Sequence, residues 1–289
     1  SLEGRAARDC LVSAMPSLQA LSQRLKAVTS TARLTKTMKV VASVKLKVAQ
    51  RNMEAGRPFA ASISTLMDPI LKPDEEFKAE TPYLMAITTD KGLCGGINAR
   101  IAKEVKLTID GAAAKEEPVP TLQVIGNKGV AALQRTHSKY ISLSIDETYT
   151  GPVTFSLASF LAEQVLATPA DEYTILYNKF KSVITFDVTP ISMKGPEALA
   201  ESGVFDDFEF EGEKESILAD MYQFNLACTL YGCLLENVTC EQASKMSAME
   251  NASNNATDMI KNLRLTYNRK RQAVITTELT EIVAGAESV

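Results

Sequence analysis

Residues 88–105, TTDKGLCGGINARIAKEV, follow the apolar run YLMAI and lead into a segment with helical character. A strand, a glycine-rich turn and a helix is how phosphate-binding loops are built, because unpaired backbone N–H groups at a helix start attract anions. Nucleotide binding is therefore the chemistry to test. The spacing fails both familiar forms. A P-loop places a Lys directly after its last Gly and then Ser or Thr, whereas Gly95-Gly96 is followed here by Ile97-Asn98. The dinucleotide fingerprint needs Gly-x-Gly-x-x-Gly, which Gly92, Gly95 and Gly96 do not form. The turn reads instead as a βα connection whose glycines let a helix pack closely on a sheet, with Asn98 as the N-cap.

Little else in the chain could carry catalysis. The single histidine, His137 in LQRTHSKY, reads as a surface or capping residue with no partners for a metal site or a triad. Asp146-Glu147 sits in turn-like sequence, where acids are more often solvated than catalytic. The five cysteines (10, 94, 228, 233 and 240) have no metal-type spacing, and their odd number suggests free thiols in a reducing compartment. On one helix, Cys228 and Cys233 would face different sides and could not bridge. No metal and no cofactor is expected. No apolar run reaches the ~18 residues of a membrane-spanning helix. The opening on Ser1 rather than Met fits a processed precursor or a trimmed chain.

The elements around these residues are more informative. Neither Gly nor Pro occurs between Ser17 and Ala55, and between Glu213 and Ala284 there is no Pro and only Gly232. Such stretches predict long helices at both ends. In the C-terminal one, Met246, Met249, Ser253, Ala256, Ile260, Leu263, Tyr267, Lys270 and Val274 alternate in steps of three and four, a heptad seam. The N-terminal one begins likewise with Leu18, Leu21, Leu25 and Val28, then shifts phase through Leu34, Met38 and Val41. A helix of about 70 residues at ~1.5 Å each is on the order of 100 Å long and must project from a compact domain. The simplest arrangement is an antiparallel coiled coil of the two terminal helices around an α/β middle.

That middle alternates strand-like PYLMAITT, TLQVIG, YISLSI, YTILYNKF and VITFDVTPISM with helix-like NARIAKEVKLTI, NKGVAALQRT and VTFSLASFLAEQVLA. Strand–helix alternation predicts a doubly wound, Rossmann-like sheet, its last two strands forming an antiparallel hairpin. Residues 109–120, IDGAAAKEEPVP, read as a solvated loop. The domains expected are residues 1–75, the N-terminal helix of a coiled-coil shaft; 76–205, the α/β domain; and 206–289, the C-terminal helix.

Charge is distributed unevenly behind a net of −4. From Cys10 to Met53 there is no acid, yet Arg24, Lys26, Arg33, Lys36, Lys39, Lys45, Lys47 and Arg51 are present. Residues 197–220 are conversely acid-rich, with Glu197, Glu201, Asp206, Asp207, Glu209, Glu211, Glu213, Glu215 and Asp220. A one-sided basic stripe needs an acidic partner: nucleic acid, anionic lipid or an acidic protein surface.

Three separated motifs then point one way. The chain resembles the gamma subunit of F-type rotary ATP synthases: TKTMKVVASVKLKVA is similar to that family's N-terminal helix, and DKGLCGGIN to its Asp-[Arg/Lys]-Gly-Leu-Cys-Gly-Gly-x-Asn turn. MSAMENASNNATDMIKNLRLTYNRKRQAVITTELTEIVAGAES is similar to its C-terminal helix. The family's terminal pattern, Ile-Thr-x-Glu-x-x-[Asp/Glu]-x-x-x-Gly-Ala, is met by Ile275, Thr276, Glu278, Glu281, Gly285 and Ala286. The likeness is close over residues 17–105 and 222–288 and looser between.

The resemblance implies a non-catalytic central shaft turning inside three alpha and three beta subunits, with a Rossmann-like domain that binds no nucleotide. It implies as partners that catalytic hexamer, the small central-stalk subunits of delta or epsilon type, and the membrane ring of c subunits. By matched motif, Arg271 and Gln272 fall where the family holds a loop of one beta subunit, and Met38 where the shaft passes an acidic beta loop. Lys36 and Lys39 of the basic stripe would face the same loops. Leu279, Ile282, Val283 and Ala284 would form the apolar tip turning in a bearing. The acidic run FDDFEFEGEKE does not align with the family's foot segment, so residues contacting the c ring are not assigned. The chloroplast-type cysteine insertion is absent, and thiol switching is not expected. The missing start Met and the opening SLEGRAARD lean towards a mitochondrial source, on the matrix face of the inner membrane. Two rivals remain on sequence grounds: a nucleotide-dependent enzyme with helical arms, and a coiled-coil nucleic-acid binder using residues 24–51. The stripe lacks the interleaved aromatics of a stacking platform, which counts against the second.

Overall fold

A computed structural model describes residues 17–73, 77–149, 151–201, 205 and 208–287. Cys10, the opening SLEGRAARD and Asp206-Asp207 of the acidic run lie outside these residues. Along the chain the elements are α1 (Leu18–Leu71), β1 (Pro82–Ile87), α2 (Ile97–Ala114), β2 (Thr121–Ile125) and α3 (Asn127–His137). A 3-10 turn (Ser138–Tyr140) precedes β3 (Ile141–Ile145), α4 (Phe155–Leu166), β4 (Glu172–Phe180), β5 (Phe186–Lys194), α5 (Pro196–Glu201) and α6 (Lys214–Glu287). The terminal helices run for 54 and 74 residues. No described helix is long and apolar enough to cross a membrane. The chain divides into two compact units, residues 1–40 with 249–289 and residues 41–248.

In the first unit, α1 and α6 form a helix pair. On α6 the positions withdrawn from solvent are Met249, Ser253, Ala256, Ile260, Leu263, Tyr267, Lys270 and Val274, with Ala252 the one addition, so the expected seam is present position by position. The seam on α1 runs Leu18, Leu21, Leu25, Val28, Ala32, Thr35 and Met38-Lys39. It does not shift phase: Leu34 is 60% exposed, and the three-and-four rhythm continues through small residues instead. Helix geometry wins over side-chain hydrophobicity here, because leaving the 3.5-residue period would swing the whole row off its partner. Thr35 can be buried because its hydroxyl donates to the Ala32 carbonyl (3.1 Å). Lys39 pairs with Glu250 across the two helices (2.6 Å).

The second unit is built on a five-stranded sheet in the order β3-β2-β1-β4-β5. The first four strands are parallel and β5 is antiparallel to β4, from Glu172 opposite Lys194 to Phe180 opposite Phe186. The sheet is doubly wound and its last two strands form the hairpin, as expected; the hairpin places β5 at an edge. β1 distributes its side chains by strand alternation. Leu84 and Ala86 join Ile101, Val105 and Ile109 of α2 and Leu133 of α3 on one face. Tyr83, Met85 and Ile87 join Leu161 and Val165 of α4 and Tyr222, Leu226, Leu230 and Leu234 of α6 on the other.

Within this unit α1 and α6 are also antiparallel: Arg57 donates to Glu236 (3.3 Å), and Gly232 opposes Ala60. A Cβ at Gly56 would fall 2.5 Å from Leu235, so glycine sets this close crossing. Three local readings are corrected. Residues 109–114 are not loop but the end of α2, since three alanines favour helix strongly enough to carry it past Gly111, and Ile109 is buried. Val41, like Leu34, points outward, at 55% exposed, and Ala42 takes its place in the packed row. His137 is buried rather than on the surface: it ends α3, with Nδ1 2.7 Å from Thr136 and Nε2 3.1 Å from Asp110.

Candidate functional site

The glycine turn follows β1, where a doubly wound sheet offers its ligand crevice: outside the carboxyl ends of the strands, at the point where strand order reverses. That point lies between β1 and β4. The turn is organised by Thr89 and Asn98. The Thr89 N–H donates to Asn98 Oδ1 (3.0 Å), and Asn98 Nδ2 donates back to Thr89 Oγ1 (2.8 Å) and to Cys94 Sγ (3.4 Å). Asn98 is therefore not the N-cap. That position belongs to Gly96, which has no side chain to cap with, and α2 begins at Ile97. A sequence scan favours Asn at a helix start for its cap propensity, but here its amide is spent on closing the turn.

The glycines have separate reasons. Gly95 has φ +62°, and a Cβ there would lie 3.0 Å from Ser244 Oγ on α6. Ser244 in turn donates to the Cys94 carbonyl (2.5 Å). The turn thus receives a protein helix where a phosphate would have to approach. Gly92 makes only ordinary contact with Lys128, and nothing lies near Gly96. The close helix–sheet approach attributed to these glycines belongs to Gly126 and Gly129. Gly126 has φ +95°, and a Cβ at Gly129 would meet Thr88 Oγ1 at 2.4 Å. Thr88 Oγ1 donates to the Ile125 carbonyl (2.6 Å) and accepts from the Gly129 N–H (3.0 Å), joining β1, β2 and α3. Asp90 Oδ1 accepts the Asn127 N–H (3.2 Å) at the start of α3.

At this point in the sheet lies Asn237 of α6, which is fully buried. Its Nδ2 donates to the Thr88 carbonyl after β1 (3.3 Å) and to the Tyr149 hydroxyl after β3 (3.0 Å). Its Oδ1 accepts from Asn178 Nδ2 on β4 (2.8 Å). The residue immediately before it, Glu236, accepts the Phe180 N–H (3.1 Å). Glu241, buried on the same face, is neutralised by Lys245 (2.7 Å). Burial pushes the Tyr149 phenol well above its ordinary range, so it stays a neutral hydrogen-bonding group. Sequence reasoning missed Asn237, Ser244 and Asn178. The available signal was Asn237, Glu241 and Ser244 at spacings of four and three, a polar row inside an apolar helix.

The residues expected to meet partners lie elsewhere. Arg271 and Gln272 are exposed, beside the seam positions Lys270 and Val274. Lys36 is exposed, Met38 is half-buried and Lys39 is engaged with Glu250. Leu279, Ile282 and Val283 are 57%, 67% and 56% exposed, and every described residue from Ile275 onward is exposed. The thiols of Cys94, Cys228, Cys233 and Cys240 are free and buried.

Two long terminal helices joined in sequence to a doubly wound layer define the class: a coiled-coil and Rossmann-like α/β protein. Residues 17–289 match the ATP synthase family, and the chain belongs to it, as a gamma chain. It is 36% identical to the ATP synthase gamma chain of Rhizorhabdus wittichii, over 95% of this chain and 100% of that one. It is 34% identical to the mitochondrial ATP synthase subunit gamma of Arabidopsis thaliana, over 94% and 86%. Among solved structures it is similar to a chain of the Tetrahymena thermophila mitochondrial ATP synthase central stalk and c ring, at 31% identity and TM-score 0.67, covering 76% of this chain and 99% of that one. A chain of the Euglena gracilis mitochondrial ATP synthase shares the fold at TM-score 0.77 over 94% of each chain, with 19% identity. Neither rival reading survives: the chain is a non-catalytic subunit of the ATP synthase complex, not a nucleotide-dependent enzyme or a nucleic-acid binder.

Proposed function

We propose that the chain is the rotor shaft of an F-type ATP synthase, coupling proton-driven rotation to conformational change at the beta subunits. The observation that carries this is the form of α6 from Met249 onward: one withdrawn row as far as Val274, then full exposure through an apolar end. A helix pair with only one internal row leaves its remaining surface to a surrounding sleeve. In this reading residues 1–75 and 206–289 supply the shaft and residues 76–205 the α/β body. The partners are the alpha3beta3 hexamer, the small delta- or epsilon-type stalk subunits and the c ring. A rotor works by offering different contacts to each beta conformation, which shifts that subunit's equilibrium and hence its nucleotide affinity. Lys36, Lys39 and Met38 meet acidic beta loops, Arg271 and Gln272 hold one beta loop, and Leu279, Ile282 and Val283 turn in the bearing. The similarity to mitochondrial relatives supports a place on the matrix face of the mitochondrial inner membrane, although bacterial relatives are as similar. Organelle fractionation with protease protection checks that assignment.

The functional test uses Arg271→Ala with Gln272→Ala. Arg offers a rigid donor fork and Gln both donor and acceptor, and their contact forms with one beta subunit in one orientation. Losing a charge-assisted bond worth roughly 1.5–3 kcal/mol slows multisite turnover about ten- to hundredfold, if it falls on the rate-limiting step. Tight binding of ATP at a single site stays unchanged. Normal multisite turnover in the assembled double variant would remove these residues from coupling.

A further inference from the structure

We infer that Asn237 is a positioning residue for torque transfer: it locks α6 to the sheet, so that the helix cannot turn or slide without carrying the α/β layers with it. This rests on the rotor reading. Apolar packing between a helix and a sheet is non-directional and does not by itself single out one seating. Hydrogen bonds in a dry interior behave otherwise, because they fail within about an ångström or a few tens of degrees and leave unpaired groups behind. Asn237, fully buried, ties α6 to three different places: the end of β1 through the Thr88 carbonyl, the segment after β3 through Tyr149, and β4 through Asn178. No rotation or translation of the helix preserves all three. Two flanking bonds, Ser244 to the Cys94 carbonyl and Glu236 to the Phe180 N–H, fix the same stretch of α6 from either side.

An apolar residue at position 237 would bury as much surface, but it would leave the Thr88 carbonyl and the Tyr149 hydroxyl unpaired and would select no register. The polar choice instead specifies one seating of the helix. It does so at the switch point of the sheet, where β1 and β4 diverge and doubly wound sheets bind ligands.

The test uses the complete complex in sealed vesicles, reading ATP hydrolysis and ATP-driven proton uptake together. Asn237→Leu, and the pair Asn178→Leu with Asn237→Leu, are compared with Leu133→Ala, a buried α3 residue in the other layer. For the latch variants, hydrolysis is expected to stay within about twofold while protons taken up per ATP fall at least threefold. Leu133→Ala, which weakens the same unit without touching the latch, should leave that ratio unchanged. An unchanged ratio in the assembled pair variant overturns the inference, as does an equal fall in Leu133→Ala. The rotor reading fails separately: complexes depleted of this chain would then take up protons per ATP as well as complete ones.

Discussion

Between Leu218 and Ser244, helix α6 is buried on several sides at once, with Tyr222, Leu226, Cys228, Leu230, Leu234, Asn237 and Cys240 all nearly inaccessible. Between Met249 and Val274 the same helix withdraws essentially one row of residues from solvent. A helix with a single partner needs a single row, so its sequence keeps strict time and its outer surface remains free for other chains. A helix enclosed by a sheet and other helices must answer many neighbours. Its sequence loses the period and acquires polar residues that match particular partners. The first region is built to be gripped, the second to hold on.

The largest expected effect lies in the enclosed region. Gly126→Val forces a branched residue to φ +95° with its Cβ 2.8 Å from the Thr88 carbonyl. We expect a loss of about 3–5 kcal/mol in the stability of the α/β unit. The near-ultraviolet signal reads it directly, since tyrosine is the main chromophore in a chain without tryptophan and only Tyr267 lies in the helix pair.

Alkaline pH should separate the regions next. Burial raises the thiols of Cys233 and Cys240 far above their ordinary range, whereas in the unfolded chain they ionise near pH ~8.5. The folded form then keeps protons that the unfolded form has lost. Stability is full below the unfolded value and declines as pH rises above it, by about 1.4 kcal/mol per pH unit for each thiol. Unfolding followed from pH 8 to pH 10 should show that slope in the α/β unit, and Cys233→Ala with Cys240→Ala should lessen it, leaving the part due to Cys228, which burial also raises. The described residues of the helix pair contain no cysteine.

A smaller effect is expected in the pair. Ile260→Asp places a charge in the half-buried seam and should cost about 2 kcal/mol, seen as faster amide exchange over residues 249–274. Leu265→Asp, at a position 61% exposed, should change exchange little. Equal effects would mean the seam is not the organising row. Smallest of all is the charge on the stripe. Reversing Lys36 and Lys39 to Glu removes the Lys39–Glu250 pair, whose members are each more than a third exposed. The cost to the chain's own stability should be below ~1 kcal/mol. A fall in ATPase activity of the complex beyond that would report an acidic partner rather than a folding defect.

Much of this was legible in the sequence, and unevenly so. The α6 seam, the alternating strands and helices, and the β4–β5 hairpin could be read because each obeys a local period or turn rule. The spacing of the glycine turn argued against a nucleotide motif. Its packing against α6 through Asn237 and Ser244 could not be read, since these lie far along the chain from Thr88 and Cys94. Leu34 and Val41 misled because hydrophobicity was taken as burial, while Ala32, Thr35 and Ala42 keep the row closed. The importance of Gly126 and Gly129 was hidden because their neighbour is Thr88 on another strand.

Rotation is the central claim, and watching it is the most direct measurement. The catalytic hexamer would be fixed to a surface and a probe attached at Ile184, an 86% exposed residue in the β4–β5 turn, through a cysteine substitution. With ATP supplied, the probe should turn in one direction in three steps per revolution, one for each beta subunit. Sustained ATP hydrolysis by the same complexes with a stationary probe would contradict the assignment of this chain as the rotor.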